Sequence, residues 1–468
     1  MRRRLAFAVL LLAAACQLRP QTSRNLAPLE TEGEVYLYLE AMPREAERLT
    51  FTLASVGLAS SDGGAVPVQL LLSTFPGEGA ETQRMLAMGH VPPGSYAGLL
   101  VGAARATLAT AEGSAQLLVP KEPVRLAAPF MVTARHATVL SLTFRYATSV
   151  EGSFSFTPDF GVTVPPRPMP PLQALSPSTA WNDVFFFDKR QRRVVGVLPT
   201  GRGARGVALS RDLLRGYVAL TDEDQVEVID VPSGGLLPRF RLAVGDAPRE
   251  LALSGDGRTL LVLNGGSNSV AFLDAGAGTE LGRVTVGEDP GMMLLDRTGR
   301  RAYVLNRRSS TLSVVDLATR SVVATAGTET DPLRAQLDRA GTRLYLIHGA
   351  SPYLLVLSLP DLRVLNRVFV GLGASALKVD ARSDLVYVGK DNESRLYVYD
   401  PTAFIPIDYV EVPDPVSYLA IDDAENTLLA VLPARRAIAV LDLSSRQVLA
   451  TVAVGEDPYT VALAGERF

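Results

Sequence analysis

Three features of the sequence predict an all-β chain in which an N-terminal β-sandwich precedes a seven-bladed β-propeller closed by a C-terminal strand. The first is a repeat. A short apolar strand ending in a turn residue recurs as Phe-Phe-Asp188, Val-Ile-Asp230, Phe-Leu-Asp274, Val-Val-Asp316, Val-Leu-Ser358, Val-Tyr-Asp400 and Val-Leu-Asp442, at spacings of 42, 44, 42, 42, 42 and 42 residues. A period this constant marks one supersecondary unit copied around a ring or along a line. The second is period-two alternation before residue 163, and the third is a proline-rich stretch between the two regions.

Each period contains four pieces, seen best over 287–323. Val-Gly-Glu-Asp-Pro290 leads into Met-Met-Leu-Leu-Asp296, Arg-Thr-Gly-Arg300 turns into Ala-Tyr-Val-Leu-Asn306, and Leu-Ser-Val-Val-Asp316 is followed by Leu-Ala-Thr-Arg320 and Ser-Val-Val-Ala-Thr325. Four β-branched or aromatic runs separated by turn chemistry form an antiparallel meander. Four strands per 40–45 residues is a propeller blade. Gly245, Gly287 and Gly455 are expected to supply positive φ at sharp turns, and Pro248, Pro290, Pro332, Pro415 and Pro458 to open the next strand, where a missing N–H is tolerated. The aspartate ending the third strand is expected to accept backbone N–H groups of the next turn.

Tyr-Val-Leu-Asn306 with Leu-Ser-Val-Val-Asp316, and Leu-Ala-Leu-Ser-Gly-Asp-Gly-Arg258 with Leu-Leu-Val-Leu-Asn264, resemble the YVTN-type propeller repeat of bacterial surface and periplasmic proteins, over residues 172–468. The pattern is broken at Gly-Ala-Ser-Pro352 and Ser358, so that blade is expected to be distorted. The family offers no catalytic residues to carry over. Only one strand, Leu-Gln-Ala-Leu175, precedes Asp188 where a blade needs two, while Tyr-Thr-Val-Ala-Leu463 is left over after the seventh repeat. The C-terminal strand is therefore expected to complete the first blade from inside, leaving no free edge.

Met1-Arg-Arg-Arg4 and the apolar run Leu5 to Ala15 read as a signal peptide over residues 1–15, too short to span a bilayer. Leu12-Ala-Ala-Ala-Cys16 resembles a bacterial lipobox, which implies a diacylated Cys16 as membrane anchor; two acyl chains hold where one does not. Gln17 resembles the residue that sends lipoproteins to the outer membrane of Gram-negative bacteria. Cys16 is the only cysteine, which excludes an intramolecular disulfide or a thiolate metal cage. Residues 16–33 read as a tether.

Residues 34–163 read as the sandwich, because Glu34-Val-Tyr-Leu-Tyr-Leu39, Arg48-Leu-Thr-Phe-Thr-Leu53, Val139-Leu-Ser-Leu-Thr-Phe144 and Ser153-Phe-Ser-Phe156 alternate so that each strand buries one face. Val91-Pro-Pro-Gly-Ser-Tyr96 resembles the turn and strand of transthyretin-like modules. Residues 164–171, Val164-Pro-Pro-Arg-Pro-Met-Pro-Pro171, form a stiff extended linker.

With 46 basic and 49 acidic residues the net charge of −3 does not mark a nucleic-acid binder. The four lysines, Lys121, Lys189, Lys378 and Lys390, read as a consequence of genome composition. His90, His136 and His348 are too scattered for a shared metal, no haem, P-loop or nucleophile-elbow motif occurs, and no cofactor is expected. Strand parity gathers Asp246, Arg249, Glu288, Asp289, Asp331, Asp414, Glu456 and Asp457 on one propeller face, with Arg307, Arg308, Asp391, Glu393, Arg395, Arg435 and Arg436 outside them. This suggests an acidic inner ring within a basic outer one; the plainer reading is solvated turn residues. Two function classes follow. One is a non-enzymatic, lipid-anchored binding or scaffold protein of the envelope, taking a protein, glycan or small ligand on that face; the other is a lactonase-like propeller hydrolase with carboxylates at the channel mouth, supported by fold analogy alone.

Overall fold

The computed structural model describes residues 29–466 apart from 78, 112, 401 and 404. Cys16, the apolar run before it and residues 17–28 lie outside the described residues.

Seven four-stranded antiparallel sheets follow one another from Gln173 onward among the described residues. The repeat is realised blade by blade. In the fourth blade Pro290–Leu295 is innermost, then come Arg301–Asn306, Thr311–Asp316 and Ser321–Gly327. Each blade buries apolar side chains against both neighbours, as Leu261 and Leu263 of the third blade do against Met293, Ala302 and Val304 of the fourth. The aspartates ending the third strands act as read from the sequence: Asp188 Oδ1 accepts the N–H groups of Arg190 and Gln191 at 2.8 Å each, and Asp274 and Asp442 repeat the arrangement. In the fifth blade, where Ser358 replaces aspartate, the four strands persist. The ladder between Arg343–His348 and Tyr353–Ser358 nevertheless stops at Leu346 opposite Leu355, two pairs short of that in the fourth blade and one short of that in the sixth, because Pro352 has no N–H to offer.

The strand-leading turns work differently from the expectation. Of the three glycines, Gly245 has a positive φ of 86°, whereas left-handed backbone elsewhere falls on the residue before the proline: Asp289 (52°), Asp331 (59°) and Asp457 (54°). Aspartate tolerates this region better than most residues. Gly287 and Gly455 are required by crowding instead. A Cβ on Gly287 would stand 2.6 Å from Ser309 Oγ, and one on Gly455 would stand 2.4 Å from Ser178 Oγ.

The ring closes as the leftover strand required. Ala462–Leu463 pairs with Leu175 and Ala174 as the innermost strand of the first blade. Two ladder pairs are few, and side chains extend them: Ser176 Oγ donates to Thr460 O at 2.9 Å, Ser178 Oγ to Glu456 O at 2.6 Å, and Lys189 Nζ to Ala464 O at 2.7 Å. Lys189 Nζ also lies 2.8 Å from Asp422 Oδ2 of the seventh blade, with the two side chains 2% and 0% exposed, and Lys378 Nζ lies 2.7 Å from Glu466. Two of the four lysines thus tie the C-terminal segment into the ring. Their scarcity follows composition, but their positions are structural.

In the sandwich, Gly33–Leu39 lies parallel to Ala137–Phe144 and antiparallel to Arg84–Val91 within a five-stranded sheet. Leu49–Ser60 and the long strand Gly94–Thr110 build the second sheet. Val35, Leu37 and Leu39 point between the sheets onto Phe51, whose ring stacks on Phe75 (4.7 Å) and Phe144 (5.2 Å). The expectation that this strand buries one face fails, since all seven residues are buried. Tyr36 and Tyr38 pack on the propeller with Met85, Met88, Trp181 and Phe185, and Tyr38 Oη donates to Ala453 O at 3.1 Å. Gln83 clips the same interface: its Oε1 accepts Val194 N–H at 2.8 Å and its amide N–H donates to Glu40 Oε1 at 2.9 Å. The contacted blades are the first and the seventh, so the sandwich sits across the joint. The linker folds against the first blade, with Arg167 lying 4.6 Å over the ring of Phe186.

Breaking a buried ion pair by removing one partner costs about 3–5 kcal/mol, because the other charge stays desolvated. Lys189→Met is expected to lower the denaturant midpoint of the whole propeller by a corresponding amount, whereas Lys189→Met/Asp422→Leu recovers much of it. Urea melts of the two variants check this; equal loss in both would contradict it.

Candidate functional site at the channel mouth

The repeat spacing places one residue per blade at the hub. The residue after the start of each innermost strand recurs at 42 to 44 residues as Arg205, Arg249, Gly291, Leu333 and Ser375, and the closing segment contributes Tyr459 in the same register. Together with Arg307 and Arg334 these line a cavity of about 210 Å³ at the mouth of the central channel. Gly291 is needed there, since a Cβ would stand 2.6 Å from Arg307 Cδ. A larger depression of about 400 Å³ at the rim of the sixth blade, lined by Glu393, Ser394, Arg395, Glu411 and Val412, opens broadly to solvent and gathers no comparable set of groups.

The acidic inner ring suggested by the sequence is therefore corrected to an arginine-lined hub, and the carboxylates of this face are bound to arginines. Asp289 Oδ1 is 2.6 Å from Arg249 Nη1, and Asp331 receives Arg307 through two contacts of 2.7 and 3.2 Å. Asp246 is buried and held by Arg283, with 2.8 Å from Nη2 to Oδ2, and by the N–H of Ala243. Asp414 pairs with Arg435, and Glu456 lies 3.4 Å from Arg436, both toward the rim. Glu393 bonds Lys390 at 2.8 Å, and Arg395 lies 3.7 Å from Glu411. Glu288, Arg308, Asp391 and Asp457 are turn residues at the surface. The physical reason is geometric: the second strand residue turns toward the axis, while the preceding loop residues fan outward.

Sequence reading missed Arg205, Arg334, Tyr459 and the channel residue Glu250. The first and third could have been found by comparing the second residue of every innermost strand across the repeats. Glu250 and Arg334 occupy the third position of the same strands, beside a β-bulge that recurs in the second to sixth blades, so the same comparison made one residue further on would have reached them. Glu250 is half-buried in the channel, where desolvation raises its carboxyl to about 7 against the pull of Arg334, Tyr459 and Arg205. Tyr418, from the seventh blade, is pushed well above the usual phenol range by burial and by Glu466 and Glu250. The guanidinium of Arg205 lies 5.5 Å over Tyr459, and that of Arg334 lies 5.8 Å over Tyr418. Among the described residues no group of three His, Cys, Asp or Glu side chains is placed to hold a metal. His348 is buried and its Nδ1 lies 3.3 Å from Tyr353 O, while His90 Nε2 lies 2.8 Å from Glu34 Oε1 in the sandwich.

No protein-family model and no curated protein matches the sequence. The fold is similar to solved structures. Hydrazine synthase of Kuenenia stuttgartiensis matches with a TM-score of 0.51 at 14% identity, over 57% of this chain and 91% of that one. The dihydro-heme d1 dehydrogenase NirN in complex with DHE matches with a TM-score of 0.51 at 16% identity, over 65% and 78%. At these identities the likeness shows a shared β-propeller fold and nothing of its chemistry.

Because the Glu250 carboxyl is raised on folding, the native state binds its proton more tightly than the unfolded chain does. Its contribution is full below about pH 4 and is lost as pH rises toward about 7. Glu250→Gln is expected to flatten the pH dependence of the melting temperature over that window, as differential scanning calorimetry at several pH values would show.

Proposed function

We propose that this chain is a non-enzymatic binding module, anchored in a bacterial envelope through acyl chains on Cys16, that takes its ligand at the channel mouth of a YVTN-type propeller. The observation that carries the binding role is the convergence of Arg205, Arg249, Arg307 and Arg334 on one recess at the hub. Supporting it, the turns of the opposite face satisfy themselves: Asp296 accepts the N–H groups of Arg300 and Arg301, and Ser254 Oγ accepts that of Thr259. The anchoring role rests on the apolar run ending in Ala-Ala-Ala-Cys16, and the outer membrane of a Gram-negative cell is the location favoured by Gln17. A second reading, a lactonase-like hydrolase, draws on Glu250 alone, whose carboxyl near 7 suits proton transfer.

Cys16→Ser is expected to move the protein from the membrane to the soluble fraction and to remove the acyl mass in mass spectrometry; retention in the membrane would refute the anchor. Leu333→Trp, which fills the mouth, is expected to abolish capture of the ligand or partner from envelope extracts at an unchanged melting temperature. Arg258→Glu with Arg300→Glu, on the opposite face, should leave capture intact. The reverse pattern would put the binding surface on the other side of the ring, and lactone hydrolysis lost on Glu250→Gln would favour the enzyme.

A further inference from the structure

The charges at the hub do not balance locally. Arg249 is neutralised by Asp289 and Arg307 by Asp331, but among the described residues neither Arg205 nor Arg334 has a carboxylate within ion-pair distance. The Nε–H groups of Arg205, Arg249 and Arg334 are all buried without an acceptor. Buried donors without partners are rare, and each costs about 1–3 kcal/mol or more when charged. Such a cluster stays in a fold when something else accepts its hydrogen bonds.

Neighbouring aromatic rings, and for Arg334 a 3.4 Å contact of Nη1 with Leu333 O, hold the two guanidiniums that lack an ion pair. Arg205 lies against Tyr459 and Arg334 against Tyr418, from the first and seventh blades. Both guanidiniums line the cavity, and an arginine fork held against an aromatic ring matches a planar carboxylate or a phosphate face. Leu333 and Gly291 complete the wall without adding acceptors. The volume of about 210 Å³ is that of about seven waters at about 30 Å³ each. This suits a small molecule rather than a polymer.

Building on the binding reading above, we infer that the channel mouth is a receptor for a small oxyanion of roughly seven to ten non-hydrogen atoms, a dicarboxylate or a phosphate monoester, gripped by the forks of Arg205 and Arg334. Arg249 and Arg307, held by their aspartates, form a fixed positive wall beside it. Glu250, whose carboxylate acts on both Arg334 and Arg205, competes with the anion for them, so its protonated form favours occupancy. The polarity is opposite to that of a carboxylate-lined metal site.

The test is isothermal titration calorimetry of the full chain, as its Cys16→Ser soluble form, with succinate, glycerol 3-phosphate and, as neutral control, glycerol at low ionic strength. One of the two anions is expected to bind and glycerol not to; the tighter of the two identifies the head group. Arg205→Gln and Arg334→Gln should each weaken binding about tenfold or more, the loss expected for a charge-assisted bond. Arg→Lys at either position should restore part of it, with circular dichroism melts confirming that the variants fold. Wild-type protein that binds neither anion, or arginine variants that keep full affinity, would overturn the assignment. Partner capture sensitive to Leu333→Trp but indifferent to both arginine substitutions would also overturn it, while leaving the mouth as the binding surface.

Discussion

A ring of blades is held shut by whatever joins its last strand to its first, and here that joint is non-covalent. Only two ladder pairs connect Ala462–Leu463 to Gln173–Ser178. The rest of the closure is built from a bridge of Ser178 with Pro458, the backbone bonds from Tyr459 N–H to Pro177 O and from Thr179 N–H to Asp457 O, and the side chains of Ser176, Ser178 and Lys189, which reach partners 284, 278 and 275 residues away in sequence. Contacts of such separation carry a large loss of chain entropy. The buried pair of Lys189 with Asp422 adds direction rather than much net energy, since desolvation offsets most of the Coulomb gain. The C-terminal segment itself is positioned by Lys189 Nζ on Ala464 O and by the pair of Lys378 with Glu466.

The sandwich reinforces the same joint from outside. Gly33–Leu39 serves two cores at once, with Val35, Leu37 and Leu39 in the sandwich and Tyr36 and Tyr38 against the propeller. Polar groups accompany the tyrosines into this interface. Tyr36 Oη donates to Asp183 Oδ2 at 2.5 Å, and burial together with the nearby Glu34 raises the Asp183 carboxyl well above the usual range. With apolar and hydrogen-bonded contacts to the first and seventh blades, the two modules are joined by a packed interface rather than by the linker alone.

At the hub, the repeat supplies symmetry and single residues remove it. Six blades present the same backbone position, but Arg205 and Arg249 occur beside each other while Gly291, Leu333 and Ser375 leave the other side open. Identical geometry with unlike side chains leaves room at Gly291 for the side chain of Arg307, and Arg334 stands beside Leu333, so arginines reach the mouth from both sides. Glu250 also feels Arg334 and Arg205, and its own desolvation is what makes the region electrostatically sensitive.

Strand count, blade period, closure and the aspartate turns were legible from the chain because each depends on short-range chemistry repeated at a constant interval. Turn residues and alternating apolar runs act over a few positions, and seven copies make the pattern unmistakable. Other features came only from the folded arrangement. The double burial of Gly33–Leu39 arises because a second surface covers what alternation marks as a half-exposed strand. The true role of Gly287 and Gly455 depends on side chains of other strands, Ser309 and Ser178. The character of the channel mouth was misread for the same reason: sequence order places Asp289 and Arg249 in separate repeats, forty residues apart, and only ring geometry brings one onto the other and turns Arg205 and Arg334, without carboxylates of their own, toward a common axis.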